Sequence, residues 1–259
     1  MGADSLFSYA TLFGFLFTLA RISGVFAFLP LAALRATPDA AKIVLSLAFT
    51  LLFWQQWKAP VGVEGSIGRM VAGLANEMAL GLAIGLALAI ALEAFQFAAQ
   101  SVSLSAGLGY ASTVDPTSGA DSTVLLTTAQ IAAGLMFFTS GADRLLVRAL
   151  SDSLRVCPPE SFALQRSWGL AMGQFGASIF SAGLRLAAPL IALILLADFS
   201  LAVLGRVQSQ LHLMTLTMPI KLGATMALMA LTLVLQPGVF ESRITDWVRF
   251  VEGLLRSGH

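Results

Sequence analysis

The chain has 259 residues, of which 57% are hydrophobic and 11% charged, with a formal net charge of +1 and a mean hydropathy of +0.84. Soluble domains carry about 25% charged residues, so this composition cannot cover an ordinary water-facing surface and points to an integral membrane protein. The net charge says nothing about nucleic acid, but there is no basic cluster of the kind such a partner needs, and none is expected. One cysteine (Cys157) and two histidines (His212, His259) exclude a disulfide framework and a self-contained Cys/His metal site.

At ~20 residues per span the length accommodates about six membrane helices with short connections. Met1-Gly-Ala-Asp-Ser lacks the cationic start of a secretory signal, so the first apolar block reads as an uncleaved helix. Helix one is predicted over roughly Leu6 to Leu34, with Arg21 inside it and Pro30 near its end. After the polar connection Leu34 to Lys42, Pro38 can start helix two and Asp39 suits its first turn. Helix two, Ile43 to Trp57, ends in Trp54 and Trp57, residues that suit a membrane interface. Helix three, about Arg69 to Gln100, is rich in Gly and Ala, and Gly81 and Gly85 form a GxxxG of the kind that lets helix backbones approach closely.

A polar stretch at 107–122, "GLGYASTVDPTSGADS", then interrupts the apolar pattern and contains no Lys or Arg. Read alone it is an idle connection, a catalytic loop, or a flexible part that fills or gates something. Helix four covers about Thr123 to Ser140 and continues into an amphipathic stretch, "GADRLLVRALSDSLRV". The block from Trp168 to Leu211 is too long for one span. Helix six, about Leu213 to Leu235, is broken by "QPGVF", and Glu241 to Arg256 reads as a short amphipathic tail. With the N-terminus inside, the inner connections hold Lys58, Arg69, Arg144, Arg148, Arg155, Arg166, Arg243, Arg249 and Arg256, against Arg35, Lys42, Arg206 and Lys221 outside. This bias favours cytoplasmic termini, provided that the spans are conventional.

Arg21, Glu77, Glu93, Arg185, Asp198, Arg206 and Lys221 lie within or beside the apolar blocks. A charge at mid-bilayer costs ~2.5–3.5 kcal/mol on insertion scales, so these groups must pair, line water, snorkel or lie outside the lipid. No HExxH, nucleophile–base pattern or phosphate-cradling GxxxxGK[ST] accompanies them, and no enzyme is expected. An ion-coupled transporter also needs buried charges, although the two halves show no inverted similarity.

Four strings carry a specific resemblance. They are "ARISGVFAFLPLAALRATPDAAK" (Arg21, Pro30, Arg35, Pro38, Lys42), "EMALGLAIG" (Glu77, Gly81, Gly85), "GLGYASTVDP", and "LGRVQSQLHLMTLTMPIKLG" (Arg206, Gln210, Pro219, Lys221). In this order the chain resembles the FliR family of flagellar biosynthetic membrane proteins, whose injectisome counterpart is the SctT family. It departs from the family pattern at Gln100, where an acidic residue is usual, and at Gln208-Ser209, which replaces a common Ala-Pro.

The resemblance implies an all-α export-gate protein of about six long, partly bent hydrophobic helices arranged as hairpins. It implies one FliR-like domain over 1–259, with FliP-like helices over 1–166 and a FliQ-like hairpin plus amphipathic tail over 167–259. The implied function is that of a core subunit of the flagellar type III export gate at the basal body in the bacterial inner membrane, without catalysis, metal or cofactor. The implied partners are FliP-like and FliQ-like subunits, FlhB- and FlhA-like export proteins, basal-body ring and rod proteins, unfolded export substrates and membrane lipid. The segment 105–122 is implied to plug the closed pore through Gly107, Leu108, Gly109, Tyr110, Ala111, Ser112, Thr113, Val114, Asp115 and Pro116. A plain interhelical loop is the other reading of that segment. Arg21, Arg35, Lys42, Glu77, Glu93, Arg185, Asp198, Arg206 and Lys221 are expected to make structural or interface contacts, and Gly81 and Gly85 to pack helices.

Overall fold

The computed structural model describes residues 9–29, 39–57, 67–107, 123–159, 161, 166–207, 221, 223–227, 230 and 237–257, and among them every regular element is helical. Helix α1 (Tyr9–Phe28) stops short of the expected Leu34, because a proline at position 30 disfavours helical backbone at Leu29. Helix α2 (Asp39–Leu52) begins before the expected Ile43, directly after Pro38, and gives way to a single 3₁₀ turn, η1 (Trp54–Gln56), before the expected end at Trp57.

Helix α3 (Ile67–Ser105) has 39 residues. At 1.5 Å per residue it is about 58 Å long, nearly twice the ~30 Å hydrocarbon core of a bilayer. It ends at Gly107, whose φ of 79° lies in the left-handed region that commonly terminates helices. Helix α4 (Thr123–Thr139) is followed by a second left-handed glycine, Gly141 at φ 73°. That residue makes the amphipathic stretch a separate helix, α5 (Ala142–Val156), rather than a continuation of helix four. Ala142, Leu146, Leu150 and Leu154 form the buried face of α5, while Arg144, Arg148 and Arg155 are exposed.

Helix α6 (Arg166–Val207) is one unbroken helix of 42 residues, about 63 Å, longer than a single span as its block length implied. Pro189 lies within it and removes one backbone donor, which a helix of this length tolerates. Lys221 and residues 223–227 are helical, and most of expected helix six lies outside the described residues. Helix α7 (Pro237–Ser257) starts earlier than expected because a proline fits the first helical turn, where its missing N–H has no intrahelical acceptor. Phe240, Ile244, Trp247, Val251 and Leu254 recur at three- and four-residue spacing along α7 and are all buried.

The chain forms two compact units that interleave in sequence. The first comprises Met1–Ala91, Phe137–Gly176 and Ser242–His259. In it α2 returns along α1, with ring contacts Phe15–Trp57 at 5.1 Å and Phe26–Phe49 at 5.2 Å. Trp247 of α7 is fully buried and donates its indole N–H to the Ile84 carbonyl of α3 at 3.2 Å, and Phe250 stacks on Phe175 at 4.5 Å. The second unit comprises Leu92–Met136 and Ala177–Glu241. It is pinned by ring contacts Phe97–Phe180 at 5.2 Å and Phe95–Phe240 at 5.3 Å.

Helices α1, α3 and α6 contain stretches long and apolar enough to cross a membrane, whereas α2 and α4 are shorter apolar helices. Within the first unit, Phe26 and Leu29 at the end of α1 line the same groove as Phe137 and Phe138 at the end of α4. The alternating topology expected from the cationic bias places those two helix ends on opposite membrane faces. They meet instead, so α2, α3 and α4 cannot all be single crossings in strict alternation after α1. The presumption of conventional spans therefore fails.

Candidate functional site

The most concentrated polar chemistry in the first unit gathers around Arg21. This residue sits on α1 among Phe17, Ile22 and Val25, so burial of that apolar face takes the guanidinium out of water. Both Arg21 and Glu77 are fully buried, and Nε of Arg21 donates to Oε2 of Glu77 at 2.6 Å while Nη2 approaches the same oxygen at 2.5 Å. Nη1 donates to the Ser153 carbonyl at 2.6 Å and reaches its hydroxyl at 3.4 Å, and Nη2 donates to the Cys157 carbonyl at 2.9 Å.

These carbonyls lie at the C-terminal end of α5, the negative end of its dipole; the Ser153 carbonyl also accepts the Cys157 backbone N–H at 3.0 Å, so Arg21 supplies it with a second donor. Arg21 therefore acts as a C-cap supplied by another helix, and its planar fork suits this divergent set of acceptors better than a lysine would. Ser153 Oγ in turn donates to the Leu150 carbonyl at 2.8 Å, and the Cys157 thiol donates to the Leu255 carbonyl of α7 at 3.5 Å. Burial pushes the Cys157 thiol above its usual range, against the Arg21 charge that lowers it, and the Glu77 carboxylate raises it further. One guanidinium thus joins α1, α3 and α5, and Cys157 extends the junction to α7.

The same crossing is sealed by glycine. A Cβ placed on Gly24 of α1 would fall 2.6 Å from the Met78 carbonyl oxygen and 2.8 Å from the Leu82 nitrogen of α3. On α3, a Cβ on Gly81 would collide with the Arg21 backbone and one on Gly85 with the Val25 backbone. The pairing of 81 with 21 and 85 with 25 means that α1 and α3 run parallel. Close approach of the two backbones is what brings Glu77 within reach of Arg21.

In the second unit, Gln130 donates to the Gln96 amide oxygen at 3.0 Å and Gln96 donates to Glu93 at 2.9 Å, so a polar chain runs through apolar helices from Gln130 to Glu93. Lys221 pairs with Asp198 at 2.8 Å. A Cβ on Gly183 of α6 would lie 2.9 Å from the Ala94 carbonyl oxygen of α3, another close backbone approach. Arg185 and Arg206 are exposed on α6, and Lys42 is half-buried on α2. Arg35 and the 108–116 part of the plug segment lie outside the described residues. Sequence reasoning missed Gly24, Gln96, Gln130 and the two capping carbonyls. The amides could have been found by treating a glutamine inside an apolar helix as seriously as a charge. Backbone carbonyls leave no sequence signal at all.

Long apolar helices, a buried arginine shared among helix ends, and glycine-sealed crossings define an all-α membrane protein whose buried polar groups hold helices together. Residues 12–247 match the model of the bacterial export proteins, family 1, and the chain belongs to that family. It is similar to the flagellar biosynthetic protein FliR of Pectobacterium carotovorum subsp. carotovorum, with 30% identity over 235 residues covering 90% of this chain and 88% of the relative. The FliR of Escherichia coli (strain K12) is 28% identical over 213 residues, covering 82% and 81%, respectively. The FliR of Bacillus subtilis (strain 168) is 22% identical over 215 residues, covering 82% of each chain.

Proposed function

We propose that this chain is a core, non-enzymatic subunit of the flagellar type III protein export gate in the bacterial inner membrane at the basal body. It joins FliP-like and FliQ-like subunits in a helical pore through which unfolded flagellar proteins leave the cell. FlhB- and FlhA-like export proteins and the basal-body ring and rod proteins are its further neighbours. The observation that carries this reading is the family match over 12–247, together with FliR relatives aligned over at least 81% of their own lengths. The site chemistry supports a scaffold: Arg21 and Glu77 are fully buried and engaged with each other and with helix-end carbonyls. The segment beginning at Gly107 plugs the closed pore in this reading, its glycines allowing unusual backbone geometry and Pro116 limiting regular helix.

The test is deletion of the gene in its source bacterium, followed by assays of motility, flagellin in the medium and effector secretion. Loss of motility and of exported flagellin, restored by the intact gene, is the expected result. Lost effector secretion with normal motility assigns the chain to an injectisome. Unchanged export with lost ion-driven solute uptake makes it a transporter.

A further inference from the structure

A groove of about 670 Å³ opens in the first unit between the ends of α1 and α4 and the flanks of α2 and α5. Phe26, Leu29, Leu45, Phe49, Phe137 and Leu146 give it apolar walls, and three charges of α5, Asp143, Arg144 and Arg148, also line it. Arg144 and Arg148 are exposed, line the groove and stand one helical turn apart, a spacing that lets both guanidinium groups serve one anion. Asp143 contributes something different. Its Oδ1 is buried and has no hydrogen-bond partner among the described residues, which leaves a charged acceptor waiting for a donor.

We propose that this groove binds a phospholipid with a primary-amine headgroup, of the phosphatidylethanolamine type. The acyl chain fills the apolar trench, the phosphate accepts hydrogen bonds from Arg144 and Arg148, and the ammonium donates to Asp143. The order of charges decides among lipids. An anionic glycerol headgroup satisfies the arginines but offers Asp143 only neutral hydroxyl donors, weaker than the charge-assisted bond of an ammonium. A choline headgroup carries the positive charge but lacks the N–H that a buried carboxylate oxygen needs. An apolar helix of another protein fills the trench but leaves all three charges unanswered. The proposal rests on membrane residence rather than on the export role, so its failure leaves the proposed function standing.

The experiment is native mass spectrometry of the full chain, extracted in detergent and supplied with phosphatidylethanolamine, phosphatidylcholine or phosphatidylglycerol of matched acyl chains. The ethanolamine lipid is expected to be retained over the other two by about tenfold, the scale of one charge-assisted hydrogen bond. The double variant R144Q/R148Q should lose retention of every phospholipid, while D143N should lower ethanolamine lipid binding to the level of the choline lipid. All three positions lie at a groove wall rather than in the core, so the variants should fold. Their circular dichroism and elution volume verify this. Equal retention of the three lipids, or D143N behaving like the parent, overturns the proposal. So does a photo-crosslinker at Val147 that captures a polypeptide instead of lipid in native membranes.

Discussion

At the residue scale, Arg21 joins three helices, and a buried charge is strongly destabilising once its partner is removed. Replacing Arg21 with Met should therefore lower stability in detergent by ~3–5 kcal/mol, because Glu77 is left buried and two helix-end carbonyls lose a donor. R21K should recover little of this, since a single ammonium on a shorter reach cannot serve Glu77, Ser153 and Cys157 together. Denaturation followed by circular dichroism checks both variants, and a Lys variant as stable as the parent would show that the forked geometry is unimportant. Cys157 supplies an independent reporter. Its thiol is buried and its pKa raised chiefly by that burial, so little reactive thiolate is present near neutral pH. Maleimide labelling should be slow in the native protein and accelerate at least about tenfold in R21M, as the α5 end loosens. Fast labelling of the native chain would mean that the α5 end is not held closed. The charges were legible in the sequence as an anomaly, because an apolar block with an arginine in it demands an explanation. Their partners were not legible: Glu77 is 56 positions away, and the Ser153 and Cys157 acceptors are main-chain atoms.

At the scale of elements, the crossing of α1 and α3 depends on backbone contact that no side chain can enter. G81A and G85A should each cost ~1–3 kcal/mol through overpacking against the α1 backbone, and G24A should do the same from the other side. On α4, by contrast, a Cβ on Gly134 meets nothing within 4 Å. G134A should be neutral, or stabilise by up to about 1 kcal/mol through helix propensity. Thermal melting of the isolated chain separates the two classes, and equal effects at Gly81 and Gly134 would contradict the seam. The four-residue spacing of Gly81 and Gly85 made a close-approach stripe readable. The identity of the opposing helix was not readable, because the glycines of α1, Gly14 and Gly24, are ten residues apart and form no GxxxG-type stripe. The boundaries of α1, α2 and α7 differ from the sequence reading at their prolines and at the 3₁₀ turn, where local backbone rules outweigh hydrophobic pattern. The unbroken α6 differs for another reason. Apolar length alone cannot distinguish one overlong helix from two short ones, and Pro189 did not break it.

At the scale of the whole molecule, α3 and α6 are each about twice as long as a bilayer core is thick, and the meeting ends of α1 and α4 rule out a strictly alternating topology. Apolar composition was therefore a sound guide to class and a poor one to topology, since hydropathy does not record whether a helix faces lipid or protein. Many apolar side chains on α6, among them Leu184, Leu196 and Phe199, are exposed. In the proposed gate the stretch after Gly107 closes the pore with small and polar residues. Deleting Ser112 to Thr117 should leave assembly yield unchanged and make membranes permeable to small solutes. Lost yield, or normal yield without leakage, would make the stretch a connecting loop. The central claim is membership of an export gate, and the composition of the native complex tests it most directly. Tagged chain extracted from membranes of its own bacterium should co-purify with FliP-like and FliQ-like proteins, each in several copies per chain, as measured by native mass spectrometry. Recovery as a solitary monomer from membranes that still export flagellin would contradict the account.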